Sequence, residues 1–180
     1  MKLNLGCGRN ILPGWVNVDR SPLPGVDYAT DFDSDRVHID YPPSSVDEFL
    51  LSHVLEHIHK PLPLMQELWR LAKPGAIATI RTPYGSSDDA WEDPTHVRPM
   101  FPHSFGYYSQ PFYWRADYQY RGDWRVKHIK LLVDRWCDMA MIRTARNVVK
   151  EMIAVLEAVK PIREPKRELQ ESMNIQMVVG

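Results

Sequence analysis

The residues of this chain best suited to chemistry sit at the ends of short apolar runs. Leu3-Asn4-Leu5 leads into Gly6-Cys7-Gly8, where two glycines at i and i+2 let backbone approach a ligand with no Cβ in the way. Asp19 ends the next run, Trp15–Asp19. An acid opposite a glycine turn can accept both hydroxyls of a ribose, so the pair points to a nucleoside. Further along come His53, Glu56, His57 and His59, and then Asp93-Pro94-Thr95-His96-Val97-Arg98. Histidine is the commonest general base.

The kind of nucleoside follows from what is missing. A dinucleotide site uses a third glycine and a helix N-terminus to hold a pyrophosphate. Here that place is taken by Ile11-Leu12-Pro13, and Pro13-Gly14 leaves no room for a helix before the second run. A cofactor without phosphate fits better, and S-adenosylmethionine (SAM) has none. Methyl transfer from its sulfonium needs a nucleophile aligned at near-attack distance. A hydroxyl nucleophile also needs a base. His96, in a loop after a strand, is the candidate, and the alternative is that Asp93, Thr95, His96 and Arg98 fold the loop by local hydrogen bonds. His53 is the second candidate. His53 and His57 are four apart and would share a helical face, but no third ligand has clear spacing, so no metal site is expected. The alternative role for the His53 segment is a turn that shapes the cofactor pocket. Asp88, Asp89 and Asp93 read as a solvated acidic loop.

The elements that must position these residues come from periodicity. Strands are expected at residues 2–5, 15–19, 26–30, 49–52 and 76–82. A helix over residues 62–72 stops at Lys73-Pro74-Gly75. Tyr118–Tyr120 and Trp124–Val133 could pair across Arg121-Gly122-Asp123. Ala145, Val148, Val149, Met152, Ile153, Leu156 and Val159 predict an amphipathic helix, and Asn174–Val179 a terminal strand. Alternating strands and helices imply an α/β domain with a mostly parallel sheet, whose ligands lie beyond the carboxyl ends of its strands.

Residues 84–115 are long, aromatic and proline-punctuated, and predict a substrate-ordered lid hinged at Gly85 and Gly106. Ten aromatics between residues 96 and 130 could stack on a flat or sugar ring, patch the core, or pack on a second subunit, so a homodimer stays open.

Composition excludes several classes. The chain has 180 residues, 22 Lys+Arg against 23 Asp+Glu, and two cysteines. No global basic field points to nucleic acid or anionic lipid. Two cysteines cannot build a disulfide framework, and the reducing cytoplasm is the expected compartment. No apolar run reaches membrane-spanning length, so no membrane partner is expected. Ser52-His53-Val54-Leu55 is not the turn that grips a flipped base, and neither cysteine follows a proline as a base-attacking nucleophile would, so nucleic acid is disfavoured.

Leu3-Asn4-Leu5-Gly6-Cys7-Gly8 resembles the first motif of class I SAM-dependent methyltransferases. Trp15–Asp19 resembles their acidic second strand, Ser52–Ile58 the segment after their fourth strand, and Glu67–Gly75 the helix and turn before their fifth. Trp91–Arg98 is similar to a segment of a small type-11-like group. The resemblance implies a three-layer Rossmann-like fold with a seven-stranded, mostly parallel sheet, here lacking the first crossover helix. It implies one domain over residues 1–180, with Asn174–Val179 as the antiparallel strand and a helical insertion at 138–160. It implies that Asn4, Leu5, Gly6, Cys7 and Gly8 flank the methionine part of SAM. Asp19 and Arg20 would hold the ribose, Asp31 and Phe32 the adenine, and Ser52 and His53 would border the methionine end. Tyr84, Arg98 and Tyr107 are the expected substrate contacts, and the acceptor is a small or sugar-like molecule methylated on oxygen or nitrogen. Asn4 stands where the family usually has an acid. With the shortened loop, that motivates a rival reading: a SAM-binding module without catalysis, serving regulation or assembly.

Overall fold

A computed structural model describes residues 1–180. Its first strands are short and apolar, as buried parallel strands are. β1 (Lys2–Leu5), β2 (Val16–Asp19), β3 (Tyr28–Ala29), β4 (Val46–Ser52) and β5 (Ala72–Pro83) pair in parallel in the order β3-β2-β1-β4-β5. Leu3 is opposite Val16 on one side and Phe49 on the other. The carboxyl ends of these strands therefore emerge on one edge, and the order reverses direction at β1. That is where a ligand belongs.

Ten residues, Gly6 to Trp15, join β1 to β2 without a helix, as expected. A helix would satisfy its own backbone groups. Here two buried asparagines do so. Asn4 Nδ2 donates to Asn10 O (2.8 Å) and to Asn17 Oδ1 (3.0 Å), and the Leu12 N–H also donates to Asn17 Oδ1 (2.9 Å). A carboxylate at position 4 could not donate to the Asn10 carbonyl. The amide at position 4 thus has a structural cause.

α1 (Pro61–Leu71) starts with Pro61 at its first turn, where a missing N–H costs nothing. It buries Leu64, Met65, Leu68 and Leu71 against the sheet. Trp124, fully buried, fastens it: its indole donates to Met65 O at 3.0 Å, and its ring meets Phe49 edge-on at 5.9 Å. α2 (Asp89–Glu92) and α3 (Met139–Thr144) are short, and no helix is long and apolar enough to cross a membrane.

The C-terminal half differs from its sequence reading in three ways. The predicted helix over 145–159, and with it the helical insertion at 138–160, is replaced by α3 and the strand β7 (Val149–Ala158). Met152, Ala154, Leu156 and Ala158 face the core at strict period two, while Ile153 and Val155 are half-buried on the other face. A run apolar on both faces satisfies the helical template as well, and the unpaired flanks of β5 and β6 (Trp124–Val133) decide for the strand. β7, antiparallel to both, is therefore the reversed strand, not Asn174–Val179. The latter forms β8 (Ile175–Val179), an eighth strand parallel to β6 at the edge. Residues 118–120 form no strand.

Residues 84–115 pack rather than hang free. Two 3-10 helices, Pro102–Tyr108 and Gln110–Trp114, bury Phe105, Tyr108 and Tyr113 in the same core. The expected hinge glycines are close-packing positions. A Cβ on Gly85 would stand 2.5 Å from the Phe101 ring, and one on Gly106 would stand 2.7 Å from Phe112. On the opposite sheet face Leu50, Ile77, Ile153, Val155 and Leu132 are only half-buried, so that side carries little cover.

Candidate functional site

At the carboxyl edge, Gly6 adopts φ +63°, and a Cβ there would collide with Val54 Cγ2. The glycine is thus needed twice, for its backbone and for the close approach of the segment after β4. Gly6→Ala is expected to lower the free energy of unfolding by about 1–3 kcal/mol, the cost of overpacking. Urea unfolding would measure it, and an unchanged midpoint would mean that Val54 simply rotates aside.

Asp19 is anchored by that loop. Its Oδ2 accepts the Gly8 N–H at 2.7 Å, and its Oδ1 accepts the Ser21 N–H at 2.9 Å. Each carboxylate oxygen keeps a further lone pair for a ribose hydroxyl. Asp19, Arg20, Asp31, Phe32, Gly6 and His53 line one cleft of about 630 Å³, a size suited to a nucleoside cofactor. Six of the residues expected to bind cofactor are therefore gathered together. Leu5 and Cys7 are buried, and the Asn4 side chain is committed to the loop. Burial first, and then Asp19 nearby, push the Cys7 thiol upward, which disfavours its thiolate. Ser52, half-buried at the end of β4, leads directly into His53.

His53 has φ +56°, and its N–H donates to Arg81 O at 2.9 Å. Its ring lies between two carboxylates. Nδ1 is 3.2 Å from Glu56 Oε1, and Nε2 is 3.0 Å from Glu151 Oε1. The Glu56 carboxylate, and secondarily Glu151, raise His53 above the usual imidazole range, against the opposing effect of burial. Glu151 is itself held by Arg81 through bonds of 3.1 and 2.6 Å. Nothing in the sequence points to Glu151, because its segment has the periodicity of a helix.

His53 is also the wall of a neighbouring pocket of about 520 Å³. Its other lining residues are His57, Pro83, Asp89, Glu92, Asp93, His96, Lys150 and Glu151, all polar or charged except the proline. His96, Asp93 and Thr95 come to His57 from the loop after β5. The His57 and His96 rings are 4.7 Å apart, and Thr95 Oγ1 lies 3.0 Å from His57 Nδ1. Glu56, His57 and His96 each bring a ligand-type atom, all within 4.8 Å of one another. His53 and His57 do not share a helical face, since only Leu55–His57 form a 3-10 turn.

The expected substrate contacts lie elsewhere. Arg98 and Tyr107 line a third cavity, about 710 Å³, with Met100, Tyr108 and Tyr113. Tyr84 is buried edge-on against Phe101.

Residues 3–80 match the family model described as a methyltransferase domain. No curated protein matches the sequence. The fold is similar to that of a SAM-dependent methyltransferase from Archaeoglobus fulgidus, at 15% identity over 87% of this chain and 85% of that one, with a TM-score of 0.58. It is similar to a SAM-dependent methyltransferase from Thermotoga maritima described as a "possible histamine N-methyltransferase", at 13% identity over 88% and 81%, TM-score 0.55. A third likeness is to a complex of the Haloferax volcanii Trm112 methyltransferase activator and a methyltransferase, at 15% identity over 88% and 82%, TM-score 0.52.

Proposed function

Because residues 3–80 match a methyltransferase domain and the fold is similar to that of SAM-dependent methyltransferases, we propose that this chain is a SAM-dependent enzyme that methylates an oxygen or nitrogen of a small polar acceptor. The observation that carries the reading is the double position of His53, which borders both the cleft of Gly6, Asp19 and Asp31 and the polar pocket of His96. An acceptor in that pocket meets carboxylates, imidazoles and Lys150, which suits a hydroxylated, sugar-like molecule better than an aromatic one.

The residues present fit the cofactor. The Gly6–Gly8 turn leaves room at the methionine end, Asp19 accepts from the ribose, and Asp31 is available to the adenine amino group. Bound SAM supplies an electrophilic methyl on a sulfonium. The chain's work is then alignment: the β4 and β5 ends hold the acceptor against that methyl. His96 takes the proton from an acceptor hydroxyl, and the polar pocket passes it to solvent. The rival non-catalytic module loses one of its two motives, because Asn4 supports the short loop.

Calorimetry with SAM tests the reading. Binding is expected, and Asp19→Ala should weaken it ~10-fold or more, the scale of a lost charge-assisted hydrogen bond. No heat at millimolar SAM would overturn the cofactor assignment. Absent formation of S-adenosylhomocysteine across a metabolite extract would favour the non-catalytic module.

A further inference from the structure

We propose that Glu56, His57 and His96 form a binding site for a divalent first-row transition ion, at the border between the cofactor cleft and the acceptor pocket. Its binding of an ion stands on these three residues alone, and its part in turnover rests on the methyl-transfer reading above.

Three observations carry it. Glu56 is 2% exposed, and neither of its carboxylate oxygens has a hydrogen-bond partner. His53 Nδ1 stands 3.2 Å from Oε1 as an ion-pair partner, and no group meets Oε2. A buried carboxylate with unused lone pairs is costly unless something positive meets it.

The second observation is the pair of contacts at His57. Its Nδ1 lies 3.2 Å from Thr95 O and 3.0 Å from Thr95 Oγ1. A carbonyl only accepts, so Nδ1 carries the proton. The Thr95 hydroxyl donates onward to Asp93 Oδ1 at 2.6 Å. Nε2 is left with its lone pair. This is the arrangement that fixes a metal-bound histidine, whose other nitrogen donates to a carbonyl. His96 supplies the third observation. Its Nε2 lies 3.8 Å from Asp93 Oδ2, while its Nδ1 is buried with no partner.

Two imidazoles and one carboxylate suit zinc, manganese, iron(II) or cobalt(II) better than calcium or magnesium, which prefer oxygen donors. Ligand atoms around zinc stand ~3.4 Å apart, as bond lengths near 2 Å require. The ligand atoms now lie within 4.8 Å of one another, so binding an ion would draw them together by side-chain rotation. Three protein ligands leave positions for an acceptor hydroxyl, whose acidity the ion would raise. With the ion bound, His96 is a ligand rather than the base: the hydroxyl proton goes to solvent and its oxygen bonds to the methyl carbon. The carbon–sulfur pair returns to sulfur, leaving a thioether.

The test is calorimetry of chelator-treated full chain with Zn²⁺, and cobalt(II) absorption as a second readout. One ion per chain is expected, and Glu56→Gln should weaken binding at least ~100-fold, the upper scale for disturbed ligand shells. His96→Ala should alter the cobalt d–d bands, which report ligand geometry directly. SAM titration of the same samples checks that each variant is folded. Absent saturable binding in the unaltered chain, or equal affinity in Glu56→Gln and His96→Ala, overturns the site. Ion binding without SAM binding would sink the methyl-transfer reading alone, and SAM binding without ion binding would sink this inference alone.

Discussion

Asp123→Ala is expected to lower the free energy of unfolding by about 3–5 kcal/mol, the cost of breaking a buried ion pair from one side. Asp123 is fully buried and carries four donors. Oδ2 accepts the Arg163 N–H and Nε, each at 2.9 Å; Oδ1 accepts Arg163 Nη2 at 2.8 Å and the Gln110 N–H at 3.2 Å. The group joins three segments: the second 3-10 helix, the start of β6 and the chain after β7. Alanine would leave the Arg163 guanidinium, 15% exposed, with only Glu171 and Ser109 as side-chain partners. The aromatic cover over the sheet would loosen with it. Urea denaturation reads the difference, and a change under ~1 kcal/mol would assign Asp123 the small value typical of exposed pairs.

How far the sequence can be read depends on whether one local rule has one answer. Gly6, Asp19 and Asp31 follow short strands whose neighbours are turn-forming, so their position at a sheet edge is legible from the residues alone. The strands of the first half are legible too, with ends shifted by a few residues. β7 is not, because Met152, Ile153 and Leu156 fit a helical stripe as well as a strand apolar on both faces. Only the pairing with β5 and β6 chooses between them. That single ambiguity hides Glu151 and makes β8 look like the reversed strand. The aromatic segment shows a second limit. Its glycines suggest freedom, but Phe101 and Phe112 stack where their Cβ atoms would be. The Glu56–His57–His96 cluster is equally illegible, because forty residues separate His96 from Glu56 and no spacing rule links a 3-10 turn to a distant loop.

His96→Ala is expected to lower turnover of SAM to S-adenosylhomocysteine by ~10²-fold, the lower end for losing a positioned acid–base group. SAM affinity should barely move. The separation follows from the two clefts. His96 lines the polar pocket, while the cofactor cleft is walled by Gly6, Asp19, Asp31, His53 and Val54 and does not include it. His53 is the weaker choice for a base, since the Glu56 and Glu151 carboxylates beside it raise it and favour its protonated form. His96 has an unused buried nitrogen instead, and its other nitrogen faces Asp93. Loss of that nitrogen removes a proton acceptor, or a ligand of the ion, at the place where the acceptor must be activated. Both routes predict a fall in turnover at constant cofactor affinity. The measurement is single-turnover kinetics beside SAM calorimetry on the same variant. An equal loss of SAM affinity would make His96 a support of the cofactor cleft, and unchanged turnover would remove it from the chemistry.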